Sequence, residues 1–542
     1  MSEHPHAPTT EHPDAVVVGA GFAGLYMLHR LREIGLRTTV LEAGGGIGGT
    51  WFWNRYPGAR CDIESLDYSY SFSPELEQEW DWSERYPSQP EILRYLEHVA
   101  DRFDLRRDIQ LGTRVVAAAF DETDNRWNVR TDRDERFRPQ FLVMATGCLS
   151  TTKNPEIPGL AEFRGRALHT GNWPHEHVDF TGQRVGVIGT GSSGIQIVPE
   201  LADQAEELVV FQRTASYSLP ARNGPIRQDV RDHVKANYRQ RRHDARYTNA
   251  GIPYRDNELS EVSALEVGPE QRWAEYESRW NTGGLALLGA FADTLTDRDA
   301  NDTVAEFLRG KIREEVDDPN TAEMLTPRTH PFGARRPCVD NGYFRTFNRQ
   351  HVTLADVASA PIERITPNGL RTGDREYELD TVVLATGFDA MTGAVLNIDI
   401  RGRGGRPLPE KWSDGPRTYL GLATEGFPNL FLITGPGSPS VLSNMIVSIE
   451  QHVEWIAGAV DYLRRHELAG IEPEKRAEDD WVEHVNEVAD GTLFPQADTW
   501  YTGSNVKGKT RMFMPYIGGV GLYRETCDEV AANGYSGFSL TR

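Results

Sequence analysis

Residues 15–24, Ala15-Val16-Val17-Val18-Gly19-Ala20-Gly21-Phe22-Ala23-Gly24, run from a β-branched apolar stretch straight into glycines spaced as GxGxxG. The pattern predicts a buried strand, a tight turn and then a helix from Phe22 whose first amides face an anion. Gly19, Gly21, Ala23 and Gly24 are therefore the candidate cradle for a dinucleotide pyrophosphate. A second strand, Thr38 to Leu41, ends in Glu42. That is where a βαβ unit needs a carboxylate to accept from ribose hydroxyls, about 20 residues after the glycines.

The unit occurs twice. RVGVIG from Arg184 leads into Gly189-Thr190-Gly191-Ser192-Ser193-Gly194, a helical stretch containing Gln196, and the strand ELVVFQ at 207–212. Here the strand ends in Arg213 and Thr214 instead of an acid. An acid would repel a 2′-phosphate and an arginine fork would bind it, so the second site is expected to prefer NADP over NAD. Two further apolar runs, FLVMATG at 141–147 and TVVLATG at 381–387, read as parallel strands delivered to a ligand. The expected fold is α/β, with two Rossmann-like dinucleotide-binding domains. Residues 1–13 read as a disordered tail, 14–148 as the first part of the first domain and 149–180 as a linker. Residues 181–378 read as the second domain, with a helical insertion over 226–322 where Arg, Glu, Asp and Asn replace the strand signals. Residues 379–542 are expected to return to the first domain, with a long helix around 448–466.

The 542 residues carry 58 basic and 80 acidic side chains, a formal charge of −22. Such a surface repels nucleic acid and anionic lipid, and no run approaches the length of a membrane span. The N-terminal stretch lacks the basic and apolar regions of a signal peptide, so the cytoplasm is the expected compartment. Without a coiled coil or repeat, a monomer is expected. Cys61, Cys148, Cys338 and Cys527 are far apart with no CxxC pair and no ligand spacing for a metal, so no metal is expected. One chain with two dinucleotide sites, one suited to NADPH, describes a flavin enzyme with FAD in the first site. Disulfide reductases share the layout but need a cysteine pair beside the flavin. Dioxygen is thus the expected electron acceptor.

The linker carries Phe163, Gly165, His169, Trp173 and Pro174, matching FxGxxxHxxxWP, and Gly49, Trp51, Tyr56, Pro57, Gly58 and Asp62 match GxWxxxxYPGxxxD. In these patterns the chain resembles the type I Baeyer–Villiger monooxygenases, closest to the branch of phenylacetone and steroid monooxygenases, from Asp14 to Leu540. The resemblance implies NADPH- and dioxygen-dependent conversion of arylalkyl, linear, cyclic or steroidal ketones into esters or lactones through a flavin peroxide, with sulfoxidation as a side activity. An N- or S-oxygenating flavin monooxygenase is the alternative. The resemblance also implies roles. Arg336 in FGARRPCVDNGYF would be catalytic, and Asp62 would pair with it. Arg335, where lysine is usual, would serve the NADP phosphate, and Trp500 would close over the nicotinamide. Thr50, Trp51, Trp53, Tyr68, Val115 and Met445 would join Gly49 and Asp62 around FAD. Cys148, Ser440, Val441 and Leu442 would line the substrate pocket, and His169 and Trp173 would form the interdomain hinge.

Overall fold

The computed structural model describes residues 10–253, 260–373 and 375–542. Its first sheet is parallel, in the order Leu430–Leu432, Phe141–Met144, Ala15–Val18, Thr38–Leu41, Ile109–Gln110. The central strand is apolar at every position because both of its faces are covered. Ala15 and Val17 pack with the helices Phe22–Glu33 and Met445–Arg465, while Val16 and Val18 pack with Trp127 and Phe137 of an antiparallel layer. The fifth strand, Leu430–Leu432, comes from the C-terminal part of the chain, so this domain is discontinuous. The long helix starts at Met445, three residues earlier than its apolar pattern suggests, because the Asn444 side chain accepts from the Ile446 amide at 3.1 Å and caps it.

The second sheet is also parallel: Val352–Asp356, Glu207–Gln212, Arg184–Ile188, Thr381–Leu384, Arg166–His169. Two of the expected boundaries shift. Thr381–Leu384 lies inside this sheet, so the second domain runs past residue 378. Arg166–His169 is its edge strand, so the stretch 149–180 is only partly a linker. The reason is common to both. Val382, Val383 and Leu168 are buried, and their backbone amides need ladder partners that only a neighbouring strand supplies. At the N-terminus, Thr10–Glu11 pairs with Arg136–Phe137, inside the stretch expected to be disordered; residues 1–9 lie outside the described residues.

The insertion consists of helices Gln228–Ala245, Pro269–Thr282, Arg298–Glu315 and Pro319–Leu325, the last of which crosses the expected limit at 322. Residues 254–259 of it lie outside the described residues. Tyr276, Trp280, Phe307 and Leu308 give it a core of its own. Its first helix is clamped to the first domain by buried ion pairs, Arg241 to Asp67 at 2.5 Å and Arg242 to Glu77 at 2.8 Å. Arg242 also donates to the Asp67 carbonyl at 3.1 Å and to Ser69 Oγ at 2.6 Å. Removing one partner of such a pair strands a buried charge, which costs about 3–5 kcal/mol.

Beside this clamp, Glu450 accepts from the Ser71 amide at 2.6 Å and from its hydroxyl at 2.5 Å. Burial raises its pKa to about 6; the Ser71 donors and Arg242 oppose the rise and Glu454 adds to it. The folded protein therefore holds a proton here more tightly than the unfolded chain, and the resulting stability, full below about pH 4.5, is lost as pH rises through about 6. Glu450→Gln is expected to be more stabilising at pH 8 than at pH 5 by about 1–2 kcal/mol. Melting curves of both proteins at the two pH values check this, and an equal difference at both would show that Glu450 is charged throughout.

Candidate active site

The two fingerprints fold alike. Gly19 and Gly189 adopt φ +106° and +112°, conformations open to glycine, and a Cβ on them would meet the carbonyls of Ala145 and Ala385 at 2.6 and 2.4 Å. A Cβ on Gly24 or Gly194 would lie 1.8 or 2.2 Å from the carbonyl of its own first glycine, so these positions let each helix pack against its turn. Both helices, Phe22–Glu33 and Ser192–Ala202, begin at a glycine with no capping side chain and no acid in the first turn. Their leading amides are left for an anion. Around Gly191 a Cβ would find nothing within 4 Å.

Both turns open into one cavity of about 1540 Å³, beyond the roughly 300–1,000 Å³ of a single small-ligand site and large enough for two dinucleotides. Gly19, Gly21, Ala23, Glu42, Gly49, Thr50, Trp51, Trp53, Tyr68, Val115 and Met445 line its first arm. Gly189, Thr190, Gly191, Ser192, Ser193, Gln196, Arg213 and Thr214 line its second. Gly24 and Gly194 lie behind the lining, as their packing role requires. Glu42 is buried, which raises its pKa against the opposing hydrogen bonds. Its two oxygens accept from the amides of Ala20 and Gly44 at 2.7 and 2.6 Å, and each retains a lone pair for a ribose hydroxyl. Gln212 is turned away to the Met324 carbonyl at 2.7 Å, which leaves Arg213 at the end of its strand to face a ligand.

Where the arms meet, Arg336 donates from Nε to Asp62 at 3.1 Å and from Nη1 to the Val441 carbonyl at 3.0 Å. The other Asp62 oxygen accepts from the Val339 amide at 3.3 Å. Burial alone would lower the Arg336 pKa, but the Asp62 carboxylate and the Tyr501 hydroxyl outweigh it and the net shift is upward. The guanidinium is thus a permanent cation, 28% accessible, facing the cavity. Arg335, Trp500, Cys148 and Val441 also line the cavity. Ser440 and Leu442, expected there, do not: Ser440 is fully buried in a 3₁₀ turn with φ +35°, and Leu442 packs against the apolar cluster of Met391, Phe494 and Phe513 behind the wall.

The two linker residues sit between the domains. His169 Nδ1 accepts from the Gly171 amide at 3.0 Å, so Nε2 carries the proton and faces the Lys153 carbonyl at 3.3 Å; burial lowers its pKa. Trp173 packs with Tyr56 and Ala59 of the first domain and with Leu168 and Phe180 of the second. The Tyr-Pro-Gly stretch lies against the helix of the second fingerprint. The Tyr56 hydroxyl bonds the Gln196 side chain at 2.7 Å, and a Cβ on Gly58 would lie 2.4 Å from the Gln196 carbonyl. It is the place where the first domain lies flat on the helix of the second. Sequence reading missed Tyr501 and Lys153. Tyr501 adjoins Trp500 and Lys153 lies five residues after Cys148, but neither type at that spacing signals a site by itself.

Because Gly191 borders open space, Gly191→Ala is expected to leave thermal stability unchanged while weakening dinucleotide binding in the second arm at least about tenfold. Calorimetric titration together with a melting curve checks it, and unimpaired binding would move the pyrophosphate elsewhere.

The sequence pattern of the pyridine nucleotide-disulphide oxidoreductase family matches residues 16–266. All four cysteines are free and buried, which separates this chain from the disulfide chemistry in that name. A Baeyer–Villiger monooxygenase of Pseudooceanicola batsensis is 44% identical over 96% of this chain and 95% of that protein. A phenazine N-monooxygenase of Lysobacter antibioticus is 42% identical over 98% of this chain and 97% of that protein. The solved structure of an oxidised steroid monooxygenase bound to NADP superposes with a TM-score of 0.94 at 55% identity, over 98% of this chain and 99% of that one. With two glycine turns opening into one cavity and an arginine held at their junction, the chain belongs to the Baeyer–Villiger monooxygenase family.

Proposed function

We propose that the protein inserts one atom of dioxygen beside the carbonyl of a ketone: ketone, O₂, NADPH and H⁺ give ester or lactone, NADP⁺ and water. The observation that carries this is the Asp62–Arg336 pair at the meeting point of the two dinucleotide arms. When bound, FAD takes the hydride of NADPH and hands its electrons to dioxygen. In the first arm the leading amides of helix Phe22–Glu33 hold the FAD pyrophosphate and Glu42 accepts from a ribose hydroxyl, with Gly49, Thr50, Trp51, Trp53, Tyr68, Val115 and Met445 along the rest. In the second arm the amides from Gly191 to Gly194 hold the NADPH pyrophosphate, and Arg213 with Arg335 binds its 2′-phosphate.

Arg336 stabilises the negative charge that develops on the carbonyl oxygen during insertion. An arginine suits this because it never gives up its proton, and in a site shielded from water a fixed cation acts strongly. Asp62 and the Val441 carbonyl orient it. Trp500, half-buried at the cavity wall with its ring centroid 4.3 Å from that of Tyr501, closes the junction against water. Cys148, whose thiol donates to the Thr434 carbonyl at 3.2 Å, presents a small apolar surface, which supports bulky or apolar ketones as substrates. His169 and Trp173 act as the hinge between domains. The four unpaired cysteines support the cytoplasm as compartment.

Mass spectrometry of a ketone panel from phenylacetone to progesterone, with FAD, NADPH and air, tests the reaction: a product one oxygen heavier and identified as an ester supports it, and NADPH consumption yielding only hydrogen peroxide across the panel means that the flavin chemistry is right and the substrate, or the oxygen insertion, is wrong. Arg336→Ala is expected to lower ester formation about 10²- to 10³-fold while hydride transfer from NADPH survives. The N-oxygenating relative favours a second reading, oxidation of a soft nitrogen or sulfur, which develops no oxyanion; oxygenated amine surviving in Arg336→Ala would decide for it. Cys148→Gln is expected to narrow the ketone range, checked on the same panel.

A further inference from the structure

Lys153 follows the first Ala-Thr-Gly strand, and its backbone is fixed on both sides. Its amide donates to the Gly387 carbonyl at 2.9 Å, and its own carbonyl accepts from Thr386 Oγ1 at 2.8 Å. The side chain lines the same cavity as Arg213 and Arg335. Its ammonium donates to the Asn505 carbonyl, on the loop that carries Trp500, and this uses one of its three protons. Two acids act on these cations from a distance, Asp389 on Lys153 and Asp498 on Arg335, but each forms its ion pair elsewhere. Asp389 is tied to Lys509 at 2.7 Å and Asp498 to Arg511 at 2.6 Å. The buried Nε of Arg335 has no partner among the described residues. Burial lowers the pKa of both Lys153 and Arg335, and in each case the Arg213 charge lowers it further against the smaller opposing pull of Asp389 or Asp498, so Arg213 faces both of the other cations across the cavity they line. Three cations lining one cavity, with one buried donor unsatisfied, form a site suited to an anion.

We propose that Lys153 is a cofactor-specificity residue, its ammonium joining Arg213 and Arg335 to hold the 2′-phosphate of NADPH. This rests on the assignment of NADPH to the second arm. The same ammonium keeps its bond to Asn505, so a phosphate at this point also ties the loop of Trp500 to the occupied cavity. Neither the glycine fingerprint nor the arginine pair points to residue 153, which is reached only through the fold.

Calorimetry on the FAD-loaded protein separates the possibilities, with adenosine 2′,5′-bisphosphate and 5′-AMP as probes. Wild type is expected to bind the bisphosphate more tightly. Lys153→Gln keeps an amide that donates to the Asn505 carbonyl but removes the charge. It is expected to weaken bisphosphate binding about tenfold, with a shallower salt dependence, and to leave 5′-AMP unchanged. Lys153→Arg is expected to retain the preference. Equal bisphosphate affinity in wild type and Lys153→Gln overturns the role of Lys153. A wild type that does not distinguish the two probes overturns the NADPH assignment itself, and the role of Lys153 with it.

Discussion

An aspartate of the first domain holds an arginine that follows the insertion of the second. Asp62 and Arg336 are 274 residues apart in sequence and meet only when the domains are docked, and much of the architecture serves that docking. The Tyr-Pro-Gly stretch lies on the helix of the second fingerprint, Trp173 is wedged between the two cores, and the clamp of Arg241 and Arg242 fastens the insertion to Asp67 and Glu77. A partly buried guanidinium gains from a counterion, and a counterion from the other domain makes the charged site conditional on assembly.

The two dinucleotide arms show how one backbone solution is used twice and then specialised at a few side chains. Each turn has a first glycine with positive φ against an Ala-Thr-Gly strand and a last glycine packed on the first. What separates them is the residue after the second strand. Glu42 is drawn inward by the amides of Ala20 and Gly44, whereas Arg213 stands outward among other cations. The shared geometry suits a pyrophosphate, and the differing charge is what the proposed function uses to assign a dinucleotide to each arm.

The strands and turns were legible in the sequence because their constraints are local. Val16 to Gly24 and Val185 to Gly194 declare themselves by apolar runs and by glycines at fixed spacing, of which the first and last of each turn leave no room for a Cβ. The Arg336 assignment was legible only through a family resemblance, since an arginine pair on a loop has no distinctive spacing. What escaped was whatever depends on distant chain meeting distant chain: Arg166–His169 as an edge strand, Ser440 turned into the interior, Lys153 beside Arg213. The limit at residue 378 was misplaced for the same reason. A buried strand such as Thr381–Leu384 reads identically in either sheet, and only its pairing with Arg184–Ile188 decides.

The discontinuity of the first domain bears on how the chain acquires its structure. Its central strands, Ala15–Val18 and Phe141–Met144, are made early, but the strand that covers the open edge, Leu430–Leu432, leaves the ribosome almost 300 residues after Met144. Until then Phe141–Met144 presents an apolar edge with unpaired backbone groups, the kind of surface that invites aggregation. Pairings across so long a stretch of sequence are expected to form slowly, while the second sheet, with its strands between residues 166 and 384, is complete on the chain earlier. The nascent chain thus carries a completed nucleotide fold attached to an incomplete one, and sequestration of that exposed edge, by a chaperone or by early cofactor capture, becomes part of making the enzyme.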